Sequence, residues 1–349
     1  MSNSDPHSRN QVHYPKRELA ELAIINYKSI REGDPVTSQK LLEASISRGF
    51  FYLDLTDDSH GRQILQDWQT VLELTKKWYD QPISSKMKHY NGLGKMGYKP
   101  AKEHAGLSSG TRDGYENIRT LRDDLFHNPS ALLPYLRDNI ALYTRFISEL
   151  NTAAMKILSA LSTDLNLPPD QRFELAHDTS KPSKTSFEVL RYSKQQNLNL
   201  NPTDQPVDGG HRQHTDIGTI TLILCSQWGL QAFSPVCPTS TSPQSWQFVA
   251  PLPSHAIINI GDTLRYLSSH KLNSPIHRVV PTEELQDEDK FTSVYFLRAS
   301  DDTVVRGVGG EEVRAEEWFG RKYRAYERDV GVLEGEGLSE VPTGGLGRN

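Results

Sequence analysis

The chain has 349 residues, 36% of them hydrophobic, which is enough to bury a substantial core in one large domain or two. Acidic and basic residues are interspersed to a net charge of −5, which argues against nucleic acid or any other polyanion as a partner. The two cysteines, Cys225 and Cys237, cannot build the disulfide framework of a small secreted protein; both are expected to stay reduced, Cys225 as a small core residue and Cys237 in a Pro/Ser/Thr loop.

Met1-Ser2-Asn3-Ser4-Asp5-Pro6-His7 lacks the apolar stretch of a secretion signal, and no apolar run approaches the roughly 18 residues that span a bilayer. A cytoplasmic protein with no membrane partner is therefore expected. Residues 1–14 read as a polar, disordered lead-in. Thr37 as a cap and Gly49 as a stop bracket a helix whose Leu41, Leu42 and Ile46 share one face, with a strand over 50–53 after it. A second helix is predicted over 62–79, where Ile64, Leu65, Trp68, Val71, Leu72 and Trp78 recur at helical spacing before Pro82; its tryptophans read as core anchors.

Between 91 and 122 the periodicity fades and glycines accumulate, which predicts a long surface connection. Pro134 suits the first turn of a long helix running past Leu161, its apolar stripe bracing a sheet from outside. Beyond Pro168-Pro169-Asp170 the pattern is strand and turn. Two polar stretches, 195–206 and 234–245, read as loops, the first of them where a lid would be useful. Residues 311–327 read as a helix packing back on the body, and the glycine-rich chain from 331 to 349 as a disordered tail. There is no internal repeat.

His214, Thr215 and Asp216 form an H-x-D step. In an extended strand residues two apart project from one face, about 7 Å apart at Cα. The β-branched run Ile217-Gly218-Thr219-Ile220-Thr221-Leu222-Ile223-Leu224 that follows supports a strand or a strand pair rather than a helix. With His277, in Ile276-His277-Arg278-Val279, supplied by a neighbouring strand, two imidazoles and one carboxylate could hold a divalent metal on one face and leave the other open. Among 12 histidines an isolated H-x-D is more often a surface turn, so its flanks decide its weight. His211 and His270 read as neighbours of the site or surface groups, and His255 as part of an exposed turn.

Those flanks run in a fixed order. Gly209-Gly210 precede the step, Gly229-Leu230-Gln231 follow it, and Trp246-Gln247-Phe248-Val249-Ala250-Pro251 leads into Asn259-Ile260-Gly261-Asp262 before His277. In that order they resemble the iron(II)/2-oxoglutarate-dependent dioxygenases, in the group similar to isopenicillin N synthase. The likeness runs from about residue 25 to 326 and includes the helix-strand step at Gly49, Met96-Gly97-Tyr98-Lys99-Pro100 and Asp113-Gly114-Tyr115-Glu116. Gly97-Tyr98-Lys99-Pro100 and Ser293-Val294-Tyr295-Phe296-Leu297-Arg298 look most like the fungal branch.

The resemblance implies a mainly β fold with flanking helices (α+β), a double-stranded β-helix or jelly roll. It divides the chain into a helical N-terminal section over 15–165, with 91–122 bordering the active-site mouth, and a catalytic section over 166–330. It implies Fe(II) held by His214, Asp216 and His277 as the catalytic centre, with 2-oxoglutarate and O₂ as co-substrates. The implied reaction is oxidation of a small organic molecule in secondary metabolism, by hydroxylation, desaturation or ring closure, with succinate and CO₂ released. A monomer is expected.

One position departs from the family. Relatives place an R-x-S pair after the second histidine, its arginine binding the far carboxylate of 2-oxoglutarate; here the segment reads Lys290-Phe291-Thr292. Lysine keeps the charge but loses the planar fork. Lys290 with Thr292 is expected to take that carboxylate. Arg298, about 26 Å further along an unbroken strand, is read as a strand-end charge reaching solvent or an ion pair. Tyr192 stands where relatives carry a tyrosine near the co-substrate, so its phenol either donates to the co-substrate or is ordinary packing with a satisfied hydroxyl. The lysine leaves a same-fold iron oxidase that does not use 2-oxoglutarate as the alternative; a zinc hydrolase and a non-catalytic binding module are more distant ones.

Overall fold

The computed structural model describes residues 18–92, 94–107, 110–195, 209–234, 245–307, 310–328 and 330–346. The lead-in over 1–14, Cys237, the predicted loops over 196–206 and 235–244, and residues 347–349 lie outside them. Twelve strands form the body in two sheets: β1 (Ile24–Asn26), β2 (Phe50–Asp54), β3 (Gly97–Lys99), β4 (Tyr115–Leu121), β5 (Ser186–Tyr192), β6 (His211–His214), β7 (Ile220–Leu224), β8 (Leu230–Ser234), β9 (Ser245–Phe248), β10 (His255–Ile260), β11 (His277–Val279) and β12 (Lys290–Leu297). The larger sheet has the order β1-β2-β10-β7-β12-β5-β4-β3 and the smaller β6-β11-β8-β9, antiparallel except for the β1–β2 pair.

The central strands β2, β7 and β10 of the larger sheet are buried on both faces and are mainly apolar on both sides. Phe50 and Tyr52 of β2, Ile223 of β7, Ile257 of β10 and Val294 of β12 join Leu230 and Ala232 of β8 in a cluster drawn from the two sheets. Their alternates, Phe51, Leu53, Leu222, Leu224, Ile258, Tyr295 and Leu297, pack with the helices in a second cluster. The period of two thus separates a jelly-roll interior from a helix-covered exterior.

The expectation of a helical N-terminal section needs one amendment. That section also supplies β1 to β4, half of the larger sheet, so the catalytic half does not complete its own sheet. The first predicted helix begins earlier than Thr37: it spans Pro35–Ser47, and the Asp34 carboxylate caps it by accepting the Thr37 N–H at 2.8 Å. Gly49 follows at φ +65°, where a Cβ would sit 2.1 Å from the Asn273 carbonyl oxygen; only glycine turns the chain there. The second helix, Ser59–Tyr79, is capped by Asp58. The long helix after Pro134 is broken into Pro134–Asp138 and Ile140–Asp164, because Asn139 leaves helical geometry (φ −121°, ψ 27°) and its amide donates to the Tyr135 carbonyl. Its apolar stripe braces the larger sheet as expected, with Phe146 edge-on to Phe187 of β5.

Two sequence expectations are corrected. Residues 91–122 are not merely a surface connection, since β3 and β4 lie within them and Tyr115 to Thr120 are all buried. The tail read as disordered from 331 instead forms, over 330–346, a helix Val330–Gly335 and a 3₁₀ turn Val341–Thr343. Leu333 and Val341 are buried against Trp318 and Tyr326 of the helix Ala315–Glu327, which holds the segment despite its glycines. Among the described residues no helix is long and apolar enough to cross a membrane.

Candidate active site

His214 ends β6, His277 begins β11, and the two are register partners in the smaller sheet. The second histidine therefore comes from a neighbouring strand, as the spacing predicts. The prediction of one extended strand through His214 and Asp216 is wrong: β6 stops at His214 and β7 starts at Ile220, so Asp216 lies in the connection that crosses to the larger sheet. Its backbone bonds leave the ladder. The Thr215 N–H donates to the Pro342 carbonyl at 3.0 Å, and the Asp216 carbonyl accepts the Asp262 N–H at 2.8 Å.

Nε2 of His214 and Nε2 of His277 lie 3.5 and 3.6 Å from Oδ1 of Asp216, and one ligand atom from each residue falls within 4.8 Å of the others. The far atoms are all engaged. Nδ1 of His214 faces the Arg212 carbonyl at 2.7 Å and Nδ1 of His277 the Pro275 carbonyl at 3.1 Å. A carbonyl only accepts, so both protons sit on Nδ1 and both Nε2 lone pairs turn inward. Oδ2 of Asp216 accepts from the Thr221 hydroxyl at 2.5 Å and the Asn259 amide at 2.7 Å, leaving Oδ1 free. Burial pushes the His277 imidazole down to about 4 and so keeps it neutral. Burial also opposes the charge on Asp216, but hydrogen bonding, the Asn259 amide included, outweighs it and holds the carboxyl well below its usual range. Two neutral nitrogens and one anionic oxygen converging from one side fit Fe(II) with positions left open.

Thr215, between two members of this set, is gripped through every polar atom. Besides the Pro342 contact, its carbonyl accepts from the Tyr326 hydroxyl at 3.0 Å; its Oγ1 accepts from Lys322 at 2.6 Å and donates to Asp262 at 3.1 Å. Lys322 and Asp262 form an ion pair with both side chains at 0% exposure. The Asn259-Ile260-Gly261-Asp262 landmark thus has a physical reading: Asn259 holds Asp216, Gly261 lets the backbone pass Gly218, and Asp262 anchors Thr215. Lys322→Met strands the Asp262 charge, and chemical denaturation should show a loss of about 3–5 kcal/mol. A loss under about 1 kcal/mol would mean that this network is not supporting the loop.

The three residues open onto a cavity with two lobes that share His211, His214 and Asp216. One lobe, about 540 Å³ including its mouth, is walled mostly by apolar groups, among them Ile223, Leu230 and Val294, and by Cys225, a buried residue as predicted. Lys290, Thr292 and Tyr192 stand on the same wall, with Lys290 and Tyr192 paired across β12 and β5. The Lys290 ammonium is buried, which lowers its pKa, and its hydrogen bond among the described residues is to the Gln227 carbonyl at 3.2 Å. Among the described residues the buried hydroxyls of Thr292 and Tyr192 have no hydrogen-bond partner, so packing with a satisfied hydroxyl does not describe Tyr192 there. A buried cation beside two unpaired hydroxyls fits a carboxylate.

The second lobe, about 510 Å³ with its opening, is lined largely by polar residues; His104, Tyr115, Asn117 and Arg119 come from 91–122, the stretch expected to border the mouth, though none of them was singled out from the sequence as a site residue. Asn117 and Arg119 of β4, Glu188 of β5, His104, Tyr323 and Arg298 line it. Arg298 corrects its prediction: β12 ends at Leu297, and the guanidinium is 8% exposed, donating to the Lys184 carbonyl and the Ser186 hydroxyl. The missed signal was period-two polarity, Tyr115, Asn117 and Arg119, in a strand whose inward face lines a cavity with polar walls and so lacks apolar alternation. His211 stacks on His214 with ring centroids 4.3 Å apart and is not part of the converging set, while His270 is exposed.

The model of the 2OG-Fe(II) oxygenase superfamily matches residues 185–299, which contain the His-Asp-His set and Lys290. The 2-oxoglutarate-dependent dioxygenase frbH of Dothideomycetidae sp. (strain 11243) is 35% identical over 95% of this chain and 98% of its own length. The 2-oxoglutarate-dependent dioxygenase gloE of Glarea lozoyensis is 35% identical over 88% of each chain. Among solved structures, a full-length Neurospora crassa protein in complex with alpha-KG superposes with a TM-score of 0.70 over 89% of this chain and 99% of its own, at 18% identity, which speaks for the fold. These relatives leave no support for the expected alternative that bypasses 2-oxoglutarate. Identity at this level along almost the full length of both chains, on a jelly roll whose interior gathers two imidazoles and a carboxylate, makes this chain a member of the 2OG-Fe(II) oxygenase superfamily and a 2-oxoglutarate-dependent dioxygenase.

Proposed function

We propose that His214, Asp216 and His277 hold the Fe(II), that Lys290 with Thr292 and Tyr192 receives the far carboxylate of 2-oxoglutarate, and that the enzyme oxidises a small organic molecule in fungal secondary-metabolite biosynthesis. The observation carrying the co-substrate assignment is the buried Lys290 ammonium beside two unpaired hydroxyls, on the wall of a lobe that also contains the converging set. When bound, Fe(II) with 2-oxoglutarate and O₂ supplies the oxidising power that removes hydrogen from an unactivated carbon, with succinate and CO₂ as the co-products. The chain's own residues place and enclose the reactants. Lys290 supplies a point charge that fixes one end of the co-substrate, and Thr292 and Tyr192 donate to the same carboxylate. The apolar walls exclude water, which strengthens those contacts. Held at one end, the co-substrate reaches the metal set in a single orientation.

Hydroxylation, desaturation and ring closure all fit such a site, and the full-length likeness to dioxygenases of fungi supports a biosynthetic role. Two measurements test the reading. The protein with Fe(II), ascorbate and 2-oxoglutarate should release succinate. Deleting the gene in its host should cause accumulation of a compound that differs from the lost product by one oxygen or two hydrogens. An unchanged metabolite profile under conditions where the gene is expressed would sink the biosynthetic role.

A further inference from the structure

The polar lobe reaches His214 and Asp216 through a lining that does not include Lys290, and its hydrogen bonding is incomplete in a defined way. Glu188 is saturated, since its carboxylate accepts from Arg119 through Nε at 2.7 Å and Nη2 at 3.3 Å, from Asn117 Nδ2, and from the Ser186 hydroxyl at 2.9 Å. Because Glu188 accepts, the Asn117 amide is oriented with Nδ2 toward it, which turns Oδ1 away; that Oδ1 is buried and unpaired. Arg119 is spent on Glu188 and the Tyr323 hydroxyl. Arg298 is not spent. It lies near the rings of Phe296 and Phe319, at 4.8 and 5.2 Å, its Nη1 is tied to Lys184 and Ser186, and its buried Nε has no partner among the described residues. Two guanidiniums face one carboxylate in this lobe once Asp216 is assigned to the metal, and burial keeps the His104 ring neutral. One positive charge is left over.

We propose that this lobe anchors the substrate, and that the substrate is a compact carboxylate carrying a nearby N–H or O–H, of the amino-acid or hydroxy-acid kind. The carboxylate oxygen accepts from Nε of Arg298, and the neighbouring donor reaches Oδ1 of Asn117. The apolar remainder lies against Leu190 and Phe296, which belong to both lobes, and so points toward the metal set. This rests on the functional reading above, and it explains why a cavity built for oxidising carbon contains an uncompensated guanidinium.

The test uses the enzyme loaded with Fe(II) under anaerobic conditions with saturating 2-oxoglutarate, so that Lys290 is already occupied. Proline, mandelate and 3-hydroxybutyrate, each paired with its primary amide, are titrated by calorimetry. At least one acid should bind about ten-fold or more tightly than its amide, the scale of one charge-assisted hydrogen bond. That preference should disappear in Arg298→Gln and return in part in Arg298→Lys. Amides that bind as well as their acids, or a wild-type enzyme that takes up 2-oxoglutarate but none of the acids, would overturn the proposal; the wild-type comparison stands even if Arg298→Gln does not fold. Failure to bind 2-oxoglutarate at all would instead count against the functional reading on which the proposal rests.

Discussion

His214→Ala and Asp216→Ala should each bring 2-oxoglutarate-dependent succinate formation to background without unfolding the protein. The set has three donors, and each offers one atom to the centre while its other polar atom is fixed by the protein. Losing one donor leaves two, so both retention of the ion and its placement fail together. A metal's contribution amounts to several kcal/mol of barrier, and about 1.4 kcal/mol is tenfold in rate, so a loss of about three orders of magnitude or more is expected. Asp216→Ala also strands the Thr221 hydroxyl and the Asn259 amide, a stability cost of about 1–3 kcal/mol that a folded domain can bear. Near-ultraviolet circular dichroism, Fe(II) titration and succinate release read the three consequences separately. Wild-type succinate release from a variant that no longer binds Fe(II) would remove the set from the chemistry.

Lys290→Ala should raise the apparent KM for 2-oxoglutarate by about 10- to 100-fold, the scale of a charge-assisted hydrogen bond, with kcat at saturating co-substrate much less affected. The direction of the stability change is a second readout. Burial lowers the pKa of Lys290, and its hydrogen bond among the described residues goes to a carbonyl, so in the ligand-free protein the charge is a cost. A group whose folded pKa is depressed in this way favours unfolding while it is charged. The ligand-free Lys290→Ala variant should therefore melt no lower than wild type, whereas 2-oxoglutarate should stabilise wild type more than the variant. An alanine variant with wild-type KM would show that another group grips the far carboxylate.

The sequence by itself determined a good deal. H-x-D with a distant histidine, in the order of flanks around them, was enough to single out three side chains that the fold brings together, because ligand chemistry tolerates few residue types. The β-branched run that became β7 marked a strand, and the departure at Lys290 was visible in the letters. Periodicity also located three helices, though not the break at Asn139, where one side chain reorganises a single turn.

Other features were decided by the tertiary structure alone. Asp216 leaves the strand because Asp262 and Pro342, distant in sequence, take the backbone bonds around it. The C-terminal segment reads as disordered by composition, yet it folds because Leu333 and Val341 find Trp318 and Tyr326 to bury against. The polar lobe was hidden for a related reason. Hydrophobic patterning reveals surfaces that pack against apolar neighbours, and β4 turns Asn117 and Arg119 toward a cavity to which Glu188 of β5 and Arg298, just past the end of β12, come from far along the chain. The metal donors could be read locally because their identity is a chemical requirement, whereas the substrate's surroundings arise from how distant strands pair, which no local pattern encodes.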